Sequence, residues 1–399
     1  MAGISQDRVH VFSIDDSLLT KCLLGALFVG ACFWAWRWSQ VRGLLSASSR
    51  MSEENEIKRK PVIMPLEDFS WESTEPLQLR PFRGKEKYNL TMAIENLDQS
   101  ELIQMDKTYR DRISKRKDVL NQHHDVVVAV NDPPLKDPRI RTAVSELYKF
   151  ILGTYLPTRY PTMFQLDSSS KKEPLFENRV TGARWPTILT ADMPTIRALE
   201  ILTQTVDEEF LVLLPDTSAP GETSPYVLQA YATCFPSGFN TRDKLGLRLA
   251  DIHGPVPGYA EKIERSMDKF FAKIEVGRFV KRVNWGVTTE TDLFAAFGSV
   301  HASPTVDPQK EHVIRPGMLN IDQTVLRCER QTLHRLPQSK AIVFAFHTYT
   351  YPVQQIKNEG MGEELATAIE GLKKGNVPRI YSYKRGDIWG QAVTEFLRA

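Results

Sequence analysis

The stretch Ala341-Ile-Val-Phe-Ala-Phe-His-Thr-Tyr-Thr-Tyr351 constrains the fold more than any other part of the chain. Its β-branched and aromatic side chains pack well on a pleated surface and lose rotamer freedom in a helix, so it predicts a strand. Three further runs have the same character: Phe210-Leu-Val-Leu-Leu214, Tyr226-Val-Leu-Gln-Ala-Tyr-Ala-Thr-Cys234 and Phe279-Val-Lys-Arg-Val-Asn-Trp285, each bounded by Pro, Gly or polar turns. Elsewhere the period becomes helical. Between Asp137 and Pro157 the apolar positions Ile140, Val144, Leu147, Tyr148, Ile151, Leu152 and Tyr155 form one face, with Pro138 in the first turn and Pro157 as a stop. Residues Lys107 to Leu120 carry only a thin stripe of Tyr109, Ile113 and Leu120, which predicts a largely solvated helix. Further helices are expected at Ala260 to Ile274, Gly362 to Leu372 and Asp387 to Leu397. Strands in runs, with helices gathered around them, predict an α+β fold with one mainly antiparallel sheet.

Ahead of this body, Leu18 to Trp36 is apolar or small apart from Thr20 and Lys21, and Phe33, Trp34, Trp36 and Trp38 crowd one end like an interfacial aromatic belt. The expected organisation is a short segment at 1–17, a single transmembrane helix at 18–38, a Ser-, Glu- and Lys-rich flexible linker at 39–62 and one folded domain at 63–399. A cleaved signal peptide is the rival reading, but tryptophans and Arg37 stand where small residues would mark a cleavage site. Arg37, Arg42, Arg50, Lys58, Arg59 and Lys60 follow the span while Asp15 and Asp16 precede it, so the positive-inside rule predicts a single-pass protein with a cytosolic C-terminal domain. The sequon Asn89-Leu-Thr91 would then go unused.

Several function classes drop out. Lys and Arg total 51 against 49 Asp and Glu, a formal +2, which gives no basic excess for nucleic acid. Of four cysteines, Cys22 and Cys32 lie in the apolar run, and Cys234 and Cys328 alone support neither a disulfide framework nor a zinc knuckle. There is no GxSxG elbow, HExxH helix, Walker loop or complete GxGxxG; Gly360-Met-Gly362 has no third glycine.

The chemistry-bearing stretch is Ile252-His-Gly-Pro-Val-Pro-Gly258. Two prolines fix φ and two glycines permit close backbone approach, so the chain leaving His253 is conformationally narrow. A pinned imidazole suits a metal, and equally suits a hydrogen-bonded loop residue. The other histidines read as structural: His123 and His124 precede Asp125-Val-Val-Val-Ala-Val130, where neighbours on a strand point to opposite faces; His347 lies within a strand; His301 and His312 fall in the Gly298 to Pro316 insertion, read as a surface loop.

Taken in order, Trp185-Pro-Thr, Glu208-Glu-Phe-Leu-Val-Leu-Leu-Pro215, Cys234-Phe-Pro-Ser-Gly-Phe239, Lys244-Leu-Gly246, Ile252-His-Gly-Pro-Val-Pro-Gly258, Arg282-Val-Asn-Trp285, Glu329-Arg-Gln-Thr-Leu-His-Arg-Leu-Pro337 and Phe344 to Tyr349 resemble the haem-dependent oxidative N-demethylase alpha-subunit-like family. The resemblance spans roughly Tyr88 to the C-terminus and includes Tyr148 to Phe164. It implies a PAS-like α+β core that holds one haem b through its iron. It also implies oxygen-dependent removal of a methyl group from a small alkylamine as formaldehyde, by hydroxylation of the N-methyl carbon and collapse to amine.

Within that frame His253 is the expected iron ligand, with Asp251 a possible partner for its second nitrogen, and His334 the competitor. Arg242, Lys244, Arg248 and Arg330 are candidates for the haem propionates, Arg330 foremost. Glu329 is a candidate acid or ammonium holder and Arg330 its neighbour, though the two also read as a buried ion pair; Tyr259, Asn284 and Trp285 are candidate substrate contacts. The chain departs from the bacterial pattern, usually Pro-Ser-x-Trp, at Pro236-Ser-Gly-Phe239. With the 298–316 insertion and the anchor it looks more like a eukaryotic, fungal-type member. It has no flavin fold, and Cys234 and Cys328 alone in the folded body are too few for an iron–sulfur cluster, which usually takes four, so it needs a separate reductase. A non-catalytic haem or small-ligand sensor on the same pocket is the alternative, and a scaffold without haem a third.

Overall fold

The computed structural model describes residues 62–131, 137–167, 174–218, 224–297, 300–301 and 312–399. The chain divides into two units, 1–60 and 61–399, and all described residues belong to the second. The expected anchor and all but the last residue of the linker lie outside the described residues. Among those described, no helix is long and apolar enough to cross a membrane.

The fold is α+β, built on a seven-stranded sheet. In chain order the elements are β1 (Glu95–Leu97), α1 (Tyr109–Gln122), β2 (Val128–Val130), α2 (Pro138–Phe150), β3 (Phe164–Asp167), β4 (Leu175–Asn178), β5 (Arg184–Pro186), α3 (Thr195–Thr203), β6 (Glu209–Pro215), β7 (Tyr226–Ala232), α4 (Leu249–Ile252), α5 (Tyr259–Lys262), α6 (Glu264–Lys273), β8 (Phe279–Thr288), β9 (Val325–Arg335), β10 (Ile342–Pro352), α7 (Val353–Asn358), α8 (Gly362–Gly371), α9 (Ile380–Tyr383) and α10 (Gly386–Arg398). The large sheet runs β1-β8-β9-β10-β6-β7-β2 and every neighbouring pair is antiparallel; β3, β4 and β5 form a small sheet of their own.

Register and the period of two decide what each face carries. Asn284 pairs with Glu329, Arg282 with Gln331 and Val280 with Leu333, and Leu333 pairs in turn with Phe344, so these side chains share one face. Their alternates Val283, Cys328, Arg330, His334, His347 and Tyr349 share the other. The second face packs against α1, α2 and α3 in the largest apolar cluster, and toward Trp285, Tyr349 and Tyr351 against α7, α8 and α10. The first face is covered by α4, α5 and α6, through Leu249, Tyr259, Ile263, Met267 and Phe271.

The four expected strands are present, while β9 is a strand that hydrophobic alternation does not announce. Its buried face positions include Arg327, Glu329, Arg330 and His334, so polar residues occupy places where a strand pattern calls for apolar ones. Pro157 does not end the expected helix: α2 passes into a wider, π-helical turn at Ile151–Tyr155 and a last turn at Leu156–Arg159. Pro157 falls in the first turn of that last piece, where a missing N–H costs little. The helix expected at 260–274 is split at Ile263, which has left helical geometry. In α1 the face is deeper than its stripe implies, because Arg116 is fully buried there. Its guanidinium donates to Glu209, to the Thr203 carbonyl and to the Glu208 carbonyl. His123 caps the C-terminus of α1 and His124 opens a separate helical turn, His124–Val127, so neither is on a strand; His123 stacks on Phe294 and His124 meets Glu200 at 3.0 Å.

Candidate functional site

Between the first face of the sheet and α4–α6 lies a cavity of about 710 Å³. Its walls are mostly apolar, with Leu211, Leu213, Leu228, Met267, Phe271, Leu333, Phe344 and Phe346 among them. Polar side chains interrupt this lining, Lys244, His253, Arg282, Asn284, His301, Glu329 and Lys384 among them. A concave, largely apolar space of this size with a few converging polar groups is what cofactor and ligand sites share.

His253 closes the short helix α4 and enters the loop of two prolines and two glycines. Its Nδ1 lies 2.8 Å from the Leu249 carbonyl oxygen. A carbonyl only accepts, so Nδ1 carries the proton and the lone pair is on Nε2. The ring stacks on Tyr259, centroids 4.7 Å apart and planes within 10°. Burial, opposed by the bond to Leu249, lowers its pKa to about 4, so the imidazole is neutral. The second nitrogen is thus held by a backbone carbonyl, not by Asp251. Gly258, at φ 75°, turns the chain from this loop into α5, and a Cβ there would meet Val377 at 2.7 Å.

His301 repeats the arrangement. Its Nδ1 lies 2.6 Å from the Ser237 carbonyl oxygen, its ring stacks on Tyr383 at 4.8 Å, and burial and the Lys384 charge lower its pKa to about 3. Expected on a surface loop, it stands instead on the cavity wall.

On β9, Glu329 is buried. Its Oε2 accepts from Gln331 Nε2 at 2.8 Å and from Asn284 Nδ2 at 3.4 Å, while Oε1 is buried without a partner. Lys384, in the turn after α9, donates from Nζ to Asn284 Oδ1 at 3.2 Å and to the Trp285 carbonyl. Burial, opposed by the Glu329 charge, brings its pKa down to about 8. Arg282 is also depressed by burial and its Nε is buried without a partner. Lys244, held at 3.3 Å by the Ile252 carbonyl, has its Nζ 4.9 Å from the centre of the Phe239 ring. Lys244, Arg282 and Lys384 thus all feel the Glu329 charge, and orphaned polar atoms remain on both signs, as in a site built to meet a ligand's own polar groups.

Of the residues singled out in the sequence, Lys244, His253, Tyr259, Asn284 and Glu329 come together on this cavity. Arg242 does not; it donates to the Asp125 carbonyl at 3.1 Å near the surface. Arg248 pairs with Asp216 on the outside. Arg330 is buried on the opposite face of β9 from Glu329 and donates to the Glu101 and Leu102 carbonyls, so the two neighbours form neither an ion pair nor a common site. Trp285 packs in the C-terminal cluster on that same far face, and His334 is there too, between Phe150 and Phe279. Sequence reasoning passed over Arg282, His301 and Lys384. Arg282 had a signal, since it stands two residues from Asn284 on a strand and must share its face. Lys384 had none.

A family model described as haem-dependent oxidative N-demethylase, alpha subunit-like, matches residues 93–394. That is more than half of the 399 residues, and every cavity residue discussed above lies within it. The chain belongs to this family.

Proposed function

We propose that the cavity binds haem b with His253 as a ligand to the iron, and that the protein oxidatively removes a methyl group from a small alkylamine. The observation that carries this reading is His253 itself: a neutral imidazole with Nδ1–H fixed on a backbone carbonyl and Nε2 bare, which is how metal-ligating histidines are held. The remaining lining fits the same group. Apolar side chains suit a macrocycle, and Lys244, Arg282 and Lys384 suit its two propionates.

When bound, haem would supply oxygen activation at iron with electrons from a separate reductase. In balance, the N-methyl carbon is oxidised to formaldehyde, one oxygen atom leaves with it and the other leaves as water, consuming two electrons and two protons beside dioxygen. The chain's own part is binding and proton control. Glu329 offers its unpartnered Oε1 to the ammonium N–H of the substrate or to the proton that must be delivered, and Gln331 and Asn284 hold the other oxygen in place. Phe344, Phe346 and Phe271 exclude water from the methyl group. The PAS-like description is supported by the order of the five long strands, in which β6, the first, lies beside β10, the last, with α4–α6 on the ligand face.

The test is turnover by the full-length chain with a reductase and a panel of methylamines. Formaldehyde should appear in step with oxygen consumption. Glu329→Gln is expected to keep the Soret band while slowing turnover by more than about tenfold, the usual range for losing an acid–base group. Reduced wild-type protein that binds carbon monoxide yet consumes no amine would leave ligand sensing as the function of the cavity.

We also propose that 18–38 anchors the protein with the C-terminal domain in the cytosol, on the strength of the apolar run and its flanking charges. The protein should resist carbonate extraction and yield to protease added from the cytosolic side. Glycosylation at Asn89 would reverse the orientation.

A further inference from the structure

Resting on the haem reading above, we infer that His301 is a second nitrogen donor to the iron that His253 holds, so that the resting protein is bis-histidyl. Both rings line one cavity. Each donates Nδ1–H to a backbone carbonyl, Leu249 for His253 and Ser237 for His301, and each stacks on a tyrosine, Tyr259 and Tyr383. Each therefore presents a neutral Nε2 lone pair with no hydrogen-bond partner among the described residues. Two nitrogens prepared in the same way on the walls of one cavity match an iron that takes two imidazoles.

A second observation ties His301 to this chain's own sequence. Gly238 stands in Pro236-Ser-Gly-Phe239. It has φ 75°, and a Cβ there would lie 2.6 Å from the His301 backbone nitrogen and 2.9 Å from the Val300 side chain. Any larger residue at 238 would force the backbone around 238 and 300–301 to shift. The neighbouring Ser237 supplies both the carbonyl that orients His301 and a bridge to Ala295. Gly238 and residues 300–301 are thus two parts of one arrangement: the first makes room and the second fills it. His334, whose ring nitrogens are also free, lies on the other face of the sheet and takes no part.

The consequence is functional. An iron with both axial positions filled by imidazole has to lose one before an outside ligand enters, so His301 would set access to the iron while His253 retains it.

The test uses the full-length chain with hemin. Wild-type ferric protein is expected to give the low-spin absorption and electron paramagnetic resonance of two imidazoles. His301→Gln keeps an amide N–H for the Ser237 carbonyl but offers no ring nitrogen, and should become high-spin while still holding hemin. Added imidazole should restore the low-spin spectrum, and carbon monoxide should bind the reduced variant faster than it binds wild type. Gly238→Ala, which leaves the imidazole in the sequence but displaces it, should shift the spectrum in the same direction. A wild-type protein that takes up hemin but is high-spin overturns the inference, as does a His301→Gln variant with an unchanged low-spin spectrum. Failure of wild type to take up hemin at all would instead sink the haem reading on which this rests.

Discussion

Alanine in place of His253 is expected to leave a folded protein whose Soret band is lost or grossly shifted. The fold should survive because the Leu249 carbonyl that accepts from the ring also accepts from the His253 backbone N–H at 3.1 Å and so keeps a partner. What the fold loses is one side-chain hydrogen bond, worth about 1 kcal/mol, and a ring stack on Tyr259 of about the same size. The iron loses much more. The donor on this wall disappears, and its neighbours Tyr259, Val256 and Ile252 have no side-chain nitrogen to replace it, which leaves the iron His301 alone. Hemin titration followed by absorbance reads this directly, with circular dichroism to confirm that the sheet is intact. Free imidazole should restore much of the band by occupying the space the side chain left. A variant with the wild-type band would remove His253 from the iron, and loss of haem in His334→Ala instead would point to the far face of the sheet.

How far the sequence carries depends on whether a residue's environment is written locally. The strands at 210–214, 226–234, 279–285 and 341–351 declare themselves because each is a β-branched and aromatic run bounded by Pro, Gly or polar turns, and the first two are apolar enough to be buried on both faces. The β9 strand is hidden because it lies between β8 and β10 with both faces buried, yet one face meets the polar part of the cavity and the other meets Glu101 and Leu102 carbonyls through Arg330. Its charged residues are partnered by distant segments, and no local period records that. Glu329 and Arg330 show the same limit at the level of two residues: adjacency suggested a pair, whereas strand geometry sends them to opposite faces. The cavity's own members divide in the same way. His253 is legible because the prolines and glycines that pin it are its neighbours in the chain. Lys384 reaches Asn284 across a hundred residues, and His301 reaches Ser237 across sixty-four. A turn residue and a loop residue carry no mark of the wall they will complete. Gly238 alone hinted at it, since a glycine inside an aromatic and proline-rich motif often marks close backbone approach.

The largest effect on stability is expected at His334, and it depends on pH. The ring is fully enclosed on the helix-covered face of β9, 5.1 Å from Phe279 and 6.1 Å from Phe150 between centroids, and neither nitrogen has a partner. Burial alone lowers its pKa from the ordinary 6.5 to about 4. Between those values the unfolded chain binds a proton that the folded protein refuses. Stability is therefore complete above pH 6.5 and is lost as pH falls toward 4, by about 3 kcal/mol for a shift of this size. His334→Leu removes the titration and two unsatisfied polar atoms while nearly conserving volume between the two phenyl rings. At pH 7 the variant should be more stable by about 1 to 3 kcal/mol, the range for relieving a buried unpaired polar group. Near pH 4 the gain should grow by about 3 kcal/mol more. Other buried histidines contribute to the acid slope of both proteins, so the difference between variant and wild type isolates this one. Urea unfolding of the haem-free, full-length chain at pH 7 and pH 4.5 reads both numbers. If the leucine variant loses as much stability as wild type over that interval, His334 is not the group that titrates.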